Sequence, residues 1–118
     1  TVLALSGELG SGKTAFVKAL AQHLGITETV TSPTFVIEKI YKIENHSRFK
    51  HLVHVDAYRL EGAHELETLG FKEILKNPEN LVAIEWSERV SGLVPREAVC
   101  LLFTFITETE HEVELTHA

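Results

Sequence analysis

Short unbroken apolar runs alternate along this chain with stretches of helical period. Val2-Leu3-Ala4-Leu5 is a continuous apolar run stopped by Ser6-Gly7, the pattern of a strand covered on both faces of a parallel sheet. From Thr14 the period changes, and Phe16, Val17, Leu20, Ala21 and Leu24 recur at helical spacing as far as Gly25, a residue suited to follow a helix C-terminus. Phe35 to Ile43 reads as a strand with imperfect alternation and Leu52-Val53-His54-Val55-Asp56 as a second. The polar segment Glu44 to Lys50 joins them, so a hairpin is expected. Ala63 to Lys76 carries Leu66, Leu69 and Ile74 at the spacing of a helix interrupted near Gly70, and Asn77-Pro78 ends it. Leu81-Val82-Ala83-Ile84 again carries the mark of a central strand. Val99 to Ile106 and Glu112 to Leu115 flank Thr107-Glu108-Thr109-Glu110-His111, which predicts a closing antiparallel hairpin at the sheet's edge.

This alternation predicts an α/β layer fold rather than a helical bundle or a β-sandwich. The length of 118 residues is that of one domain. No stretch approaches the roughly 18 consecutive apolar residues of a membrane span, and a mean hydropathy of +0.05 is ordinary for a globular chain. Charge narrows the partners: 11 Lys and Arg stand against 17 Asp and Glu, a net charge of −6. That balance excludes a basic sheath gripping phosphate backbones unaided, so any nucleic-acid role is expected to be indirect. Cys100 is the only cysteine, which excludes an intramolecular disulfide and points to a reducing, cytoplasmic setting. The chain contains no Met and opens inside its first strand, so residues 1–118 are expected to form a single domain lacking its natural N-terminal segment.

The chemistry lies between the first strand and the first helix. Gly7-Glu8-Leu9-Gly10-Ser11-Gly12-Lys13-Thr14 matches G-x-x-x-x-G-K-[ST] in full and in the strand–loop–helix context that the mechanism requires. Glycines let successive backbone N–H groups converge on phosphate oxygens, and the helix N-terminus adds partial positive charge. Lys13 is placed to reach the β- and γ-phosphates, and the Thr14 hydroxyl to ligate Mg²⁺. The chain is therefore expected to bind a nucleoside triphosphate with Mg²⁺.

Such a loop needs an acid on a neighbouring strand to hold or orient the metal, and two qualify. Asp56 ends one apolar run and Glu85 another, both at the strand edge where ligands bind in open parallel sheets. The residues alone do not rank them. Thr31-Ser32-Pro33-Thr34-Phe35 stands where the switch loop of many P-loop proteins nears the γ-phosphate, with Thr34 a candidate contact to Mg²⁺ or water. A Ser-Pro turn leading into a strand accounts for the same residues equally well. Asp56 is followed by no Asp-x-x-Gly pattern and no Asn-Lys pair occurs, so guanine selectivity has no visible basis. Neither Leu-Ser-Gly-Gly nor a His or Cys zinc spacing is present, and the seven histidines read as surface or hydrogen-bonded residues. Cys100 reads as a packing residue, and Trp86, next to Glu85, as either a buried ring or a wall of the nucleotide site.

Together these segments resemble the TsaE (YjeE) family of small P-loop ATPases in bacterial tRNA threonylcarbamoyladenosine biosynthesis. The resemblance rests on Gly7 to Thr14, Val30-Thr31-Ser32-Pro33-Thr34-Phe35, His54-Val55-Asp56-Ala57-Tyr58-Arg59-Leu60, Glu65-Leu66 with Leu69-Gly70-Phe71, and Ile84-Glu85-Trp86. It implies a P-loop NTPase-type three-layer fold with a mainly parallel sheet and an antiparallel C-terminal hairpin. It further implies that Leu9, Gly10, Ser11, Gly12, Lys13, Thr14 and Ala15 cradle the phosphates of ATP. Thr14, Glu85 and Asp56 would hold Mg²⁺, Glu85 ranking first; Lys13, Glu85, Asp56 and Thr34 would serve the reaction, with Trp86 beside the nucleotide. The implied partners are TsaD-like and TsaB-like proteins, with tRNA reached only through that complex and no membrane involved. Family members usually carry a helix and a strand before the P-loop strand, so the resemblance assigns no adenine contacts from such a segment. The Glu44 to Lys50 loop also looks slightly longer than the family's usual turn. Two other classes fit the residues: a small-molecule kinase, although Arg48, Arg59, Arg89 and Arg96 are too scattered for an arginine-rich lid, and a nucleotide-dependent binding switch with little hydrolysis.

Overall fold

The computed structural model describes residues 1–7, 12–28, 30, 38–58, 60, 63–68, 70–107 and 111–117. Six strands form one sheet: β1 (Val2–Gly7), β2 (Glu38–Lys42), β3 (His51–Asp56), β4 (Asn80–Glu85), β5 (Val99–Phe105) and β6 (His111–His117), in the order β2-β3-β4-β1-β5-β6. The four central strands are mutually parallel, and β2 and β6 join the two edges antiparallel. Helix α1 (Lys13–His23) covers one face. Helices α2 (Ala63–Thr68) and α3 (Phe71–Lys76), with a kinked 3-10 segment at Ser87–Leu93, cover the other.

The apolar runs are central strands, as expected, because every residue of β4 is buried and faces a helical layer on one side or the other. Leu5, Leu52, Leu81 and Ala83 pack with Val17 and Ala21 of α1. Val53, Val55, Val82 and Ile84 point the opposite way, to Leu66, Phe71 and Val90. Two cores therefore sandwich one sheet, and each fully buried Leu or Val contributes about 1.5–3 kcal/mol.

Glycine sets the ends of the helices. Gly25 has φ 78°, and the Gly25 and Ile26 N–H groups donate to the Gln22 and Ala21 carbonyls, the paired bonds of a Schellman terminus. Gly70, with φ 74°, separates α2 from α3. The predicted strand 35–43 is observed as β2 over 38–42; positions 35–37 lie outside the described residues, and at position 43 the Ile43 N–H still bonds the Lys50 carbonyl in register while the Lys50 N–H turns to the Glu79 carbonyl, which ends the ladder. Strand β6 is longer than the predicted 112–115 because its register with β5 continues from Phe105↔His111 to Val99↔His117.

Gly7 ends β1 with φ 136°, and a Cβ there would stand 2.2 Å from the Phe103 carbonyl oxygen on β5. The last residue of the strand must therefore be a glycine for packing as well as for conformation.

Candidate nucleotide site

The C-terminal tips of β1, β4 and β3 lie side by side. Leu5 is in register with Glu85, and Glu85 with Asp56, so both candidate carboxylates stand at the same height on adjacent parallel strands. The Ala57 N–H donates to the Glu85 carbonyl at 3.0 Å, which holds the two strand ends together. Both acids share the face that carries α1, because side chains alternate along a strand and Leu52 and Leu81 occupy that face.

Helix α1 begins against these tips. Gly12 caps it with φ 105° and ψ 10°, a conformation an L side chain would resist. Lys13 follows, only 5% exposed despite its charge. Its ammonium donates to the Gly7 carbonyl at 2.5 Å and lies 3.8 Å from the centre of the Trp86 ring. Burial pushes the Lys13 pKa below the ordinary lysine value, while Glu88, Glu85 and Asp56 pull it the other way. Thr14 is next, and its hydroxyl donates to Glu85 Oε1 at 2.8 Å. The other oxygen of Glu85 is 2.5 Å from Nε2 of His54, a fully buried histidine.

Trp86 is the one non-glycine residue with positive φ among the described residues, at φ 59° and ψ 43°. A conformation of this kind costs on the order of 1 kcal/mol or more and persists where surroundings enforce it. Alternation alone sends Trp86 away from Glu85, and its ring does pack against the core beneath the 3-10 segment. The turn at the strand tip also brings the ring to Lys13. Tyr58 tilts against Trp86 at 5.0 Å between ring centres, and the Arg89 guanidinium lies 5.2 Å from the Tyr58 ring. Tyr58 is placed by Asp56, whose Oδ1 accepts its backbone N–H at 3.0 Å.

The structure thus brings Lys13, Thr14, Glu85, Asp56 and Trp86 to one edge. Gly12 caps the helix beside them, and Ala15 is exposed on its first turn. Leu9, Gly10, Ser11 and Thr34 lie outside the described residues. His54 is the residue that sequence reasoning passed over. The available signal was its position two before Asp56 in a strand, which puts both on one face.

The donor set suits Mg²⁺, since a hydroxyl and a carboxylate oxygen 2.8 Å apart, with a second carboxylate on the next strand, are hard oxygen ligands. Among the described residues no cluster of three or more His, Cys, Asp or Glu side chains forms a cage that would hold a metal by itself. No helix among the described residues is long and apolar enough to cross a membrane.

A family model described as "Threonylcarbamoyl adenosine biosynthesis protein TsaE" matches residues 1–115. The chain is 40% identical over 114 residues to the tRNA threonylcarbamoyladenosine biosynthesis protein TsaE of Borreliella burgdorferi, covering 97% of this chain and 80% of that one. It is 36% identical over 115 residues to the Bacillus subtilis protein of the same name, covering 98% of this chain and 68% of that one. The crystal structure of Bacillus subtilis YdiB superposes with a TM-score of 0.75 at 30% identity, over 98% of this chain and 67% of that one. The P-loop context, the paired strand-end acids and these matches agree, and the chain belongs to the TsaE family.

Proposed function

We propose that the chain is a cytoplasmic Mg²⁺-dependent ATP-binding and ATP-hydrolysing protein that serves threonylcarbamoylation of an anticodon-adjacent adenosine in tRNA. It acts with TsaD-like and TsaB-like proteins and meets tRNA only through them, in keeping with its net charge of −6. The observation that carries the ATPase reading is the Thr14–Glu85 hydrogen bond, which ties the first turn of the P-loop helix to the end of the neighbouring strand beside Lys13.

Each residue has a role that follows from its place. Lys13 supplies a buried positive charge for the terminal phosphates, giving up its bond to the Gly7 carbonyl when they arrive. Thr14 and Glu85 hold or orient Mg²⁺, and Asp56 stands as the second acid one strand away. Bound Mg²⁺ would neutralise charge developing on the transferred phosphoryl group. Trp86, with Tyr58 tilted against it, walls one side of the Lys13 head and limits water there. Glu85, 3% exposed and held at both oxygens, keeps one orientation through turnover.

The test is equilibrium ATP binding and phosphate release in Lys13→Ala and Glu85→Ala. The Lys13 variant is expected to bind ATP about 10–100-fold more weakly, the worth of a lost charge-assisted bond. The Glu85 variant is expected to keep affinity and lose Mg²⁺-dependent hydrolysis. Unchanged ATP affinity in Lys13→Ala contradicts the reading; unchanged turnover in Glu85→Ala moves the acid's role to Asp56. Recovery of TsaD and TsaB homologues in an ATP-dependent pull-down tests the partnership.

A further inference from the structure

His54 is fully buried in β3 between valines, where a polar ring is costly unless its nitrogens are paired. One of them is: Nε2 lies 2.5 Å from Glu85 Oε2, whereas Nδ1 has no hydrogen-bond partner among the described residues. The sheet accounts for the contact. His54 is in register with Ala83 and Asp56 with Glu85, so His54 sits diagonally across a parallel strand pair from Glu85, on the same face.

Glu85 is thereby gripped from two sides. Thr14, on the helix that carries the phosphate-binding lysine, takes Oε1; His54, on the neighbouring strand, takes Oε2. Only the first is near the groups that meet a nucleotide. We propose that His54 is a positioning residue for the reaction: its Nε2–H donates to Glu85 Oε2, fixes the rotamer of that carboxylate and keeps Oε1 turned to Thr14 and the metal–phosphate centre. This rests on reading Glu85 as the acid that holds or orients Mg²⁺. An ionised carboxylate only accepts, which places the proton on Nε2 and the lone pair on Nδ1. The orphaned Nδ1 fits that tautomer, since unpaired acceptors are tolerated inside proteins more readily than unpaired N–H groups. A hydrogen-bonded partner behind a ligating carboxylate is a recurring device for setting metal affinity.

The first readout needs no nucleotide. In ¹⁵N-edited NMR of the free protein, the His54 ring is expected as the Nε2–H tautomer, with an Nε2 proton shifted downfield that Glu85→Ala removes. A ring protonated only at Nδ1 overturns the proposal. The second compares His54→Leu, which deletes the donor, with His54→Gln, which keeps an N–H donor at similar reach. His54→Leu is expected to lower kcat, and to raise the Mg²⁺ concentration for half-maximal response of ATP-bound protein, about tenfold or more. Its KM for ATP should stay within about twofold of wild type, because Lys13 and the helix terminus still hold the phosphates. His54→Gln should recover most of both losses, and His54→Leu should add nothing in a Glu85→Gln background. A folded His54→Leu with wild-type kcat and Mg²⁺ response, or a Gln variant no better than Leu, refutes the idea. Should the Leu variant fail to fold, the Gln variant and the tautomer still decide it. A wild-type protein that shows the Nε2–H tautomer but hydrolyses no ATP refutes the ATPase reading and leaves the His54–Glu85 clamp standing.

Discussion

The ammonium of Lys13 and the ring of Trp86 form a cation–π pair at 3.8 Å, with the Gly7 carbonyl as a second partner of the same charge. A pair of this kind is worth about 0.5–2 kcal/mol, more when desolvated, and it exists here because Trp86 turns at the end of β4 instead of continuing the strand. The Lys13 charge is thus parked on an indole and a backbone oxygen.

Under the proposed ATP binding, nucleotide phosphate would compete directly for that ammonium. Trp86 is the only tryptophan, so its emission reports on one place. Saturating ATP with Mg²⁺ is expected to change that emission, and Lys13→Gln to abolish the change. Emission indifferent to ATP, in protein shown by dialysis to bind it, would contradict the displacement of Lys13 from the ring.

Burial of Lys13 has a pH signature. Its pKa in the folded protein lies below the unfolded value of about 10.4. Between those two values the unfolded chain binds more protons, so stability rises with pH across that window, and below it the buried charge is a net cost. Lys13→Met, which keeps the stem without the charge, should at neutral pH and without nucleotide be at least as stable as wild type and lose the alkaline rise. Urea unfolding from about pH 7 to 10 measures both. Wild type more stable than Lys13→Met throughout would mean that the bonds to Gly7 and Trp86 outweigh burial.

Thr14 separates structure from chemistry at one oxygen. Thr14→Ala leaves Glu85 Oε1 without its donor, a cost of about 1–2 kcal/mol in unfolding free energy, and should weaken the Mg²⁺ response about tenfold or more. Thr14→Ser retains the hydroxyl and should approach wild type in both. A serine variant as impaired as alanine would assign the role to the methyl group's packing.

The far end of the sheet should be indifferent. Leu115 on edge strand β6 is 60% exposed although its partner Leu101 belongs to the core beneath α1. Leu115→Lys is expected to change stability by less than about 0.5 kcal/mol and ATP binding not at all, as chemical denaturation and titration would show.

Much of this was legible in the sequence where local pattern and packing agree. Val2 to Leu5 and Leu81 to Ile84 announced central strands because both faces are covered; the order of residues from Gly7 to Thr14 marks a candidate phosphate loop, of which Gly7, Gly12, Lys13 and Thr14 are described. Asp56 and Glu85 were placed at strand ends by the same runs. What could not be read was register. Nothing local says that β3 lies beside β4 with Asp56 level with Glu85, and only that alignment brings His54 to Glu85. Nor does the pattern disclose the left-handed turn at Trp86, which an L residue adopts only when tertiary contacts enforce it. The C-terminal limit of β2 and the limits of β6 escaped for a related reason, since edge strands end where a partner's ladder ends.

Gly7 carries a consequence for how variants of this loop are interpreted. The Phe103 carbonyl, at 2.2 Å from the place of an added methyl, belongs to β5, the strand paired with β1. Gly7→Ala should therefore cost about 3 kcal/mol in unfolding free energy by forcing β1 and β5 apart, with guanidinium unfolding as the measure. Loss of ATP binding in such a variant would say nothing about a contact between position 7 and the nucleotide. The first glycine of the loop is a joint in the sheet, whose neighbour across the seam dictates it as firmly as any ligand.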